Sequence, residues 1–222
     1  MIFTHIPMEA MPELVDETLA SGRTYQTPDG NRYPSITTVL KILSDEGIKA
    51  WRDRVGKEES SKVLHQASVR GTKVHELAER YINNDPEWDR GAMPINLFTF
   101  NGLRSILDSR VNNIMAQEVP LYSDKLKIAG RVDLIAEFDG ELTIIDFKTA
   151  RKAKKEDWVI GYRLQASFYA AAFYERTGIP IRKYAVLISP DGAEPQVFAG
   201  NTYENIKQLC DVRREYYNQY GI

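Results

Sequence analysis

The sequence of 222 residues predicts an α+β fold in which helices come first and a mixed sheet follows. Three observations carry that reading. Residues 66–83 and 97–116 repeat apolar side chains at helical spacing, the first with Val74, Leu77, Ala78, Tyr81 and Ile82 at i, i+3, i+4, i+7 and i+8. From residue 118 onward the pattern changes to short runs rich in β-branched residues, over 118–122, 128–138 and 142–149. Between two of those runs sits Asp139-Gly140, the dipeptide of a tight hairpin.

The elements follow in chain order. Residues 1–23 read as a short helical arm carrying Met11, Leu14, Val15 and Leu19. Arg23 to Tyr33 reads as a hairpin turning at Pro28-Asp29-Gly30, and Pro34-Ser35-Ile36-Thr37-Thr38 caps a helix that starts at Thr37 or Thr38 and stops near Gly47. Two helices fill 48–83, Asn83 to Pro86 ends the second, and 87–95 is a loop before the helix 97–116 with Leu103, Ile106, Leu107, Val111 and Ile114 on one side. After the three strands a helix runs from Tyr162 to Arg176, ended by Gly178 and Pro180. Arg182 to Ser189 is a fourth strand, Val197 opens a fifth, and Thr202 to Tyr220 closes the chain as a helix. The expected organisation is one domain over 1–222, with a mostly helical N-terminal part and cover over 1–116 and the sheet core over 117–222.

Composition narrows the function classes. Apolar residues make up 43% and charged residues 27%, which is the balance of a globular domain and excludes a disordered chain. One cysteine, Cys210, excludes a disulfide framework, a Cys-rich zinc site and a four-cysteine iron–sulfur cluster. No run of ~18 apolar residues predicts a membrane span. The first residues, Met1 to Pro7, have neither the basic leader nor the apolar core of an export signal, and Glu9, Glu13, Asp16 and Glu17 precede the first basic residue, Arg23. The expected compartment is therefore cytosol-like. A net charge of −2 argues against attachment to nucleic acid by a global positive field, and leaves only local basic tracks.

The chemistry concentrates around the hairpin. A two-residue turn at Asp139-Gly140 pairs Phe138 with Glu141 and, extended along both strands, places Asp133 opposite Asp146. Opposed side chains share a face with Cβ atoms ~5 Å apart, where two carboxylates repel by roughly 3 kcal/mol at an effective dielectric of about 20. A divalent cation turns that repulsion into ligation, and Mg²⁺ prefers such hard oxygen donors. Lys148, two residues beyond Asp146, points the same way and is placed to hold an attacking water or oppose charge on a phosphate. On the other face Val132 pairs with Phe147 and Leu134 with Ile145, an apolar surface for a helix.

Other residues read less specifically. Glu118 is a third carboxylate, a neighbour of a useful carbonyl, or a strand-edge charge. On spacing alone His75 is a packing or surface residue beside the apolar stripe of its helix, not a ligand. Gln165 and Tyr169 share a helix face at i, i+4, beside alanines that permit a close approach to the sheet. Two basic tracks flank the hairpin. One is Lys148, Arg151, Lys152, Lys154 and Lys155. The other runs along 48–83 and includes Lys49, Arg52, Arg54, Lys57, Lys62, Arg70 and Lys73. Such tracks suit phosphates, and Trp51, Tyr81 and Trp158 suit stacking on unpaired bases.

Asp133 followed by Asp146-x-Lys148 across a hairpin resembles the P-D-(D/E)-x-K nuclease signature, with Val132 in the place of the proline. The ordered set Pro34-Ser35-Ile36-Thr37, Gly71-Thr72-x-x-His75, Glu118, Gly130-Arg131-x-Asp133, Ile145-Asp146-Phe147-Lys148-Thr149 and Gln165-x-x-x-Tyr169 resembles the RecB-like branch, nearest to the mitochondrial genome maintenance exonuclease group and its phage and bacterial relatives. The resemblance implies a restriction-endonuclease-like core, a mixed sheet flanked by helices with an N-terminal helical cover. It implies His75, Asp133 and Asp146 as metal ligands, Glu118 as a further acid, Lys148 as the catalytic lysine, and Gln165 and Tyr169 as its supports. It implies Mg²⁺ or Mn²⁺, single-stranded DNA degraded from a free end, and a bacterial or phage-infected host cytosol. Ser35, Thr37, Trp51, Arg52, Arg70, Lys73, Arg151, Lys152, Lys154 and Lys155 are the expected DNA contacts. Expected partners are DNA and proteins of replication or recombination, with no membrane. A duplex exonuclease or structure-specific endonuclease on the same core, a non-catalytic DNA-binding module, and a metal-dependent hydrolase of nucleotides are the competing readings.

Overall fold

The turn at Asp139 and Gly140 sets the frame. Both residues have positive φ, 52° and 81°, as a hairpin turn that matches strand twist requires, and Phe138 pairs with Glu141 as the spacing predicts. The computed structural model describes residues 2–220. Met1, Gly221 and Ile222, which the expected 1–222 domain includes, lie outside the described residues.

The hairpin belongs to a five-stranded mixed sheet. In chain order its strands are β4 (Val111–Ser123), β5 (Ile128–Phe138), β6 (Glu141–Ala150), β7 (Lys183–Pro190) and β8 (Gln196–Asn201), and they lie side by side in that order. Only β6 and β7 run parallel. A parallel pair needs a crossover, and the crossover helix here spans Ile160–Thr177, ending at Gly178 in the left-handed conformation. It becomes α5 once the earlier helices are numbered: α1 (Ile36–Val39), α2 (Asp45–Val55), α3 (Lys57–Ile82) and α4 (Pro94–Arg110). The last helix, α6, covers Ile206–Tyr220.

Two apolar layers sandwich the sheet. On one side α5 packs Leu164, Phe168, Ala172 and Phe173 against Ile135, Ile144, Val186 and Ile188, with α1 and α6 at the margins. On the other side α3 and α4 pack Val74, Leu77, Ala78, Phe100, Leu103 and Leu107 against Leu134, Ala136, Ile145, Phe147 and Leu187. The apolar stripe of α3 is buried from Val74 onward, whereas among residues 57–73 only Ser60 is buried. Its first half and all of α2 therefore form a projecting arm.

Several expectations need correction. Residues 2–23 contain no helix. Val15–Leu19 form a strand, β1, which pairs with β2 (Gly22–Gln26), and β2 pairs with β3 (Arg32–Pro34). The apolar residues that suggested a helix do not share a buried stripe, since Leu14 is buried while Val15 is 71% exposed. The helical part is also shorter than 1–116. α4 stops at Arg110, and Val111 and Ile114 are strand residues of β4 that happen to continue the helical spacing. The sheet core thus begins at 111, and the 1–116/117–222 division falls inside β4. Gly47 does not end a helix. The break is at Ser44, and Gly47 lies within α2.

Candidate active site

The site forms where the β5–β6 ladder opens. Pairing runs from Phe138–Glu141 to Leu134–Ile145 and stops there. The expected direct opposition of Asp133 and Asp146 is therefore not a ladder pair. Instead Asp133 Oδ2 accepts a hydrogen bond of 2.7 Å from the Phe147 amide, so a side chain takes the place of a main-chain partner. The charge of Asp133 still acts on Asp146, disfavouring its ionisation.

Strand alternation slips on β4 at the same level. Ala116 and Val119 both pack in the α5 layer, and so do their partners Ile135 and Val132. They are three residues apart, where alternation demands two or four. Glu118 and Asp133 lie between these pairs, and Glu118 has φ +50°, a left-handed backbone unusual for a glutamate. Such irregularities re-aim side chains. They also correct the expected apolar face, because Val132 lies in one layer and Phe147, Leu134 and Ile145 in the other.

His75 enters from α3. Its Nε2 lies 2.9 Å from the Phe147 carbonyl, which can only accept, so Nε2 carries the proton and Nδ1 faces the carboxylates. Nδ1 is 3.6 Å from Asp133 Oδ1 and 3.8 Å from Glu118 Oε1. One ligand atom from each of His75, Glu118 and Asp133 lies within 4.8 Å of the others. Burial lowers the imidazole pKa, but Asp133 and Glu118 outweigh it and carry it up to about 9.

Behind this triad Asp146 is 1% exposed. Lys148 Nζ lies 2.5 Å from its Oδ2 as an ion pair, yet neither oxygen of Asp146 receives a well-directed hydrogen bond. Burial is the main force raising the Asp146 pKa, opposed by Lys148. Burial also works against the Lys148 charge, but Asp146 and Asp133 hold its pKa above the usual lysine value. From α5, Gln165 Nε2 donates to the Tyr169 hydroxyl at 3.2 Å, and both side chains are buried. Tyr169 lies over Gly130, where a Cβ would come within 3.0 Å of its ring.

These groups border a cavity of about 470 Å³. Lys148, Asp133, Glu118, His75, Gln165 and Tyr169 line it, as do Ser35 and Thr37; Asp146 is enclosed behind them. Ser35 also caps α1, with its Oγ 3.0 Å from the Thr38 amide. The other expected DNA contacts are elsewhere. Trp51 and Arg52 are on the projecting α2, and Arg70 and Lys73 border a separate groove toward α4. There Arg70 is paired with Asp191 at 2.6 Å and Lys73 with Glu76 at 2.7 Å. Arg151, Lys152 and Lys155 are exposed in the loop after β6, and half-buried Lys154 is held through its amide by Gln196.

Lining residues that sequence reasoning did not assign to the site include Arg23, Tyr25, Glu76 and Glu79, and Arg131, which it quoted within a motif but gave no role. Glu79 follows His75 by four helical positions, and Arg131 precedes Asp133 by two strand positions, so ordinary periodicity pointed to both. For Arg23 and Tyr25 the sequence holds no such signal, since they reach the cavity only because β2 packs there.

A family model described as the PD-(D/E)XK nuclease superfamily matches residues 98–214. Mitochondrial genome maintenance exonuclease 1 of Mus musculus is 24% identical over 132 residues, 56% of this chain and 39% of that protein. Its Homo sapiens counterpart is 25% identical over 134 residues, 56% of this chain and 38% of that protein. The chain thus spans about two-fifths of the length of these curated relatives. Among solved structures, a candidate exonuclease from Eubacterium rectale aligns at 13% identity and a TM-score of 0.38, covering 68% of each chain.

Proposed function

The chain belongs to the PD-(D/E)XK nuclease superfamily, and from that premise we propose that it is a divalent-metal-dependent deoxyribonuclease that digests single-stranded DNA from a free end. The observation that carries the reading is the convergence of His75 Nδ1, Glu118 and Asp133 beside a buried Asp146 whose Oδ2 meets only the Lys148 ammonium and whose Oδ1 has no hydrogen bond. A buried carboxylate oxygen without a partner is costly, and a divalent cation offers it one. One imidazole and hard carboxylate oxygens suit Mg²⁺ or Mn²⁺. His75, Glu118 and Asp133 would hold it, with Asp146 alongside. When bound, such an ion acidifies a water and neutralises phosphate charge.

The remaining work falls to this chain's own groups. The Phe147 carbonyl fixes the His75 tautomer by accepting from Nε2. Lys148, held by Asp146, presents a positive charge toward the cavity to position the attacking water and oppose charge on the phosphate. Gln165 and Tyr169 brace that wall. The exposed Arg151, Lys152 and Lys155 supply salt-sensitive phosphate contacts. The exonuclease name of the two mammalian relatives supports a requirement for ends.

The test uses labelled linear and circular single-stranded DNA with Mg²⁺ or Mn²⁺. The wild-type protein digests the linear strand and leaves the circle intact. Lys148→Ala lowers kcat by about 10²–10³, the usual loss for a group that stabilises developing charge, and Asp146→Ala removes activity. Equal digestion by wild type and Asp146→Ala overturns the proposal.

A further inference from the structure

Glu118 is the one member of the carboxylate–imidazole group that sits in a strained backbone, with φ +50°. A left-handed conformation costs a side-chain-bearing residue about 1–2 kcal/mol, and such strain persists only where its surroundings over-determine it. The surroundings here are specific. Gln117 pairs with Leu134 and Val119 with Val132, so both neighbours of Glu118 are locked in register. The next pair is Pro120 with Arg131, which leaves Glu118 diagonal to Arg131, within reach of a long side chain. Arg131 Nη1 donates to the Glu118 carbonyl. Its Nη2 lies 3.7 Å from Glu13, an 83% exposed carboxylate that offers little hold.

We propose that Arg131 is a positioning residue for the cation site: its guanidinium holds the Glu118 carbonyl in the left-handed turn and thereby aims the Glu118 carboxylate at His75 and Asp133. The carbonyl and the side chain both branch from the Glu118 Cα, so fixing the first restricts where the second is rooted. Without the guanidinium, nothing holds the Glu118 carbonyl in the left-handed turn, and the carboxylate across from Asp133 loses its fixed aim. Arg131 need not touch substrate for this role, although it borders the same cavity. The inference rests on the metal-dependent reading above.

The test measures Mn²⁺ binding to the full chain without DNA, by calorimetry and by the loss of free-ion electron paramagnetic resonance signal. Arg131→Ala is expected to weaken Mn²⁺ binding about tenfold, the low end of losses from groups that orient a ligand. Arg131→Lys, which keeps a donor and a charge, recovers part of the affinity. In a Glu118→Gln background, Arg131→Ala causes no further loss, because the carboxylate it aims is already gone. Equal Mn²⁺ affinity in wild type and Arg131→Ala, with a raised KM for DNA in the variant, overturns the inference in favour of a phosphate contact. An undiminished further loss in the Glu118→Gln background also overturns it, as a general structural effect. Absence of Mn²⁺ binding to the wild type refutes the metal-dependent reading itself, and this inference with it.

Discussion

Individual residues carry the chemistry here through backbone irregularity as much as through side-chain type. Asp133 is useful because the Phe147 amide takes its Oδ2 and leaves Oδ1 toward His75. Glu118 is useful because it stands across from Asp133, between the Gln117–Leu134 and Val119–Val132 pairs, in a left-handed turn. Gly130 serves by having no side chain, since a Cβ would meet Tyr169 Cε1 at 3.0 Å and Ile36 Cγ2 at 3.2 Å. Both neighbours are buried and boxed in, so neither yields easily. Gly130→Ala is therefore expected to destabilise the protein by about 1–3 kcal/mol, the usual range for overpacking, seen as a lower urea midpoint. An unchanged midpoint would show that Tyr169 moves freely. At this scale the sequence was partly legible. Asp133, Asp146 and Lys148 stand out by type and spacing, and His75 only by resemblance. The left-handed backbone of Glu118 is announced by no residue pattern.

Elements explain where those residues meet. The hairpin β5–β6 was readable because Asp139-Gly140 admits few backbone solutions, and the register from Phe138–Glu141 to Leu134–Ile145 follows from it. Extrapolating that register to Asp133 went one pair too far, because the ladder opens there and β6 continues with β7 instead. The end of α4 was unreadable for a different reason: Val111 and Ile114 satisfy helical spacing while belonging to β4, and only their pairing with β5 separates the two. The turn itself is testable. Gly140 has φ +81°, so Gly140→Val places a branched side chain in a left-handed position and is expected to cost about 1–2 kcal/mol in urea denaturation. No loss of stability would mean that the turn does not set the register.

The whole molecule brings two separate walls to one opening. The α3–α4 layer delivers His75 and Glu79, and the α5 layer delivers Gln165 and Tyr169. The small β1–β3 sheet closes the rim with Arg23 and Tyr25. That sheet is fastened by a bridge from Ser35 to Ala129 and by the cluster of Leu14, Tyr25, Tyr33, Tyr122 and Ala129. Its strands are short and their apolar residues few, which is why the N-terminal segment resembled a helical arm in sequence. Among the described residues no helix is long and apolar enough to cross a membrane. The most direct test of the account is crystallographic. In crystals soaked with Mn²⁺ and measured at a wavelength where manganese scatters anomalously, a peak is expected within ligand distance of His75 Nδ1 and of carboxylate oxygens of Glu118 and Asp133. A map with no peak there, or one in which those three side chains point apart, would contradict it.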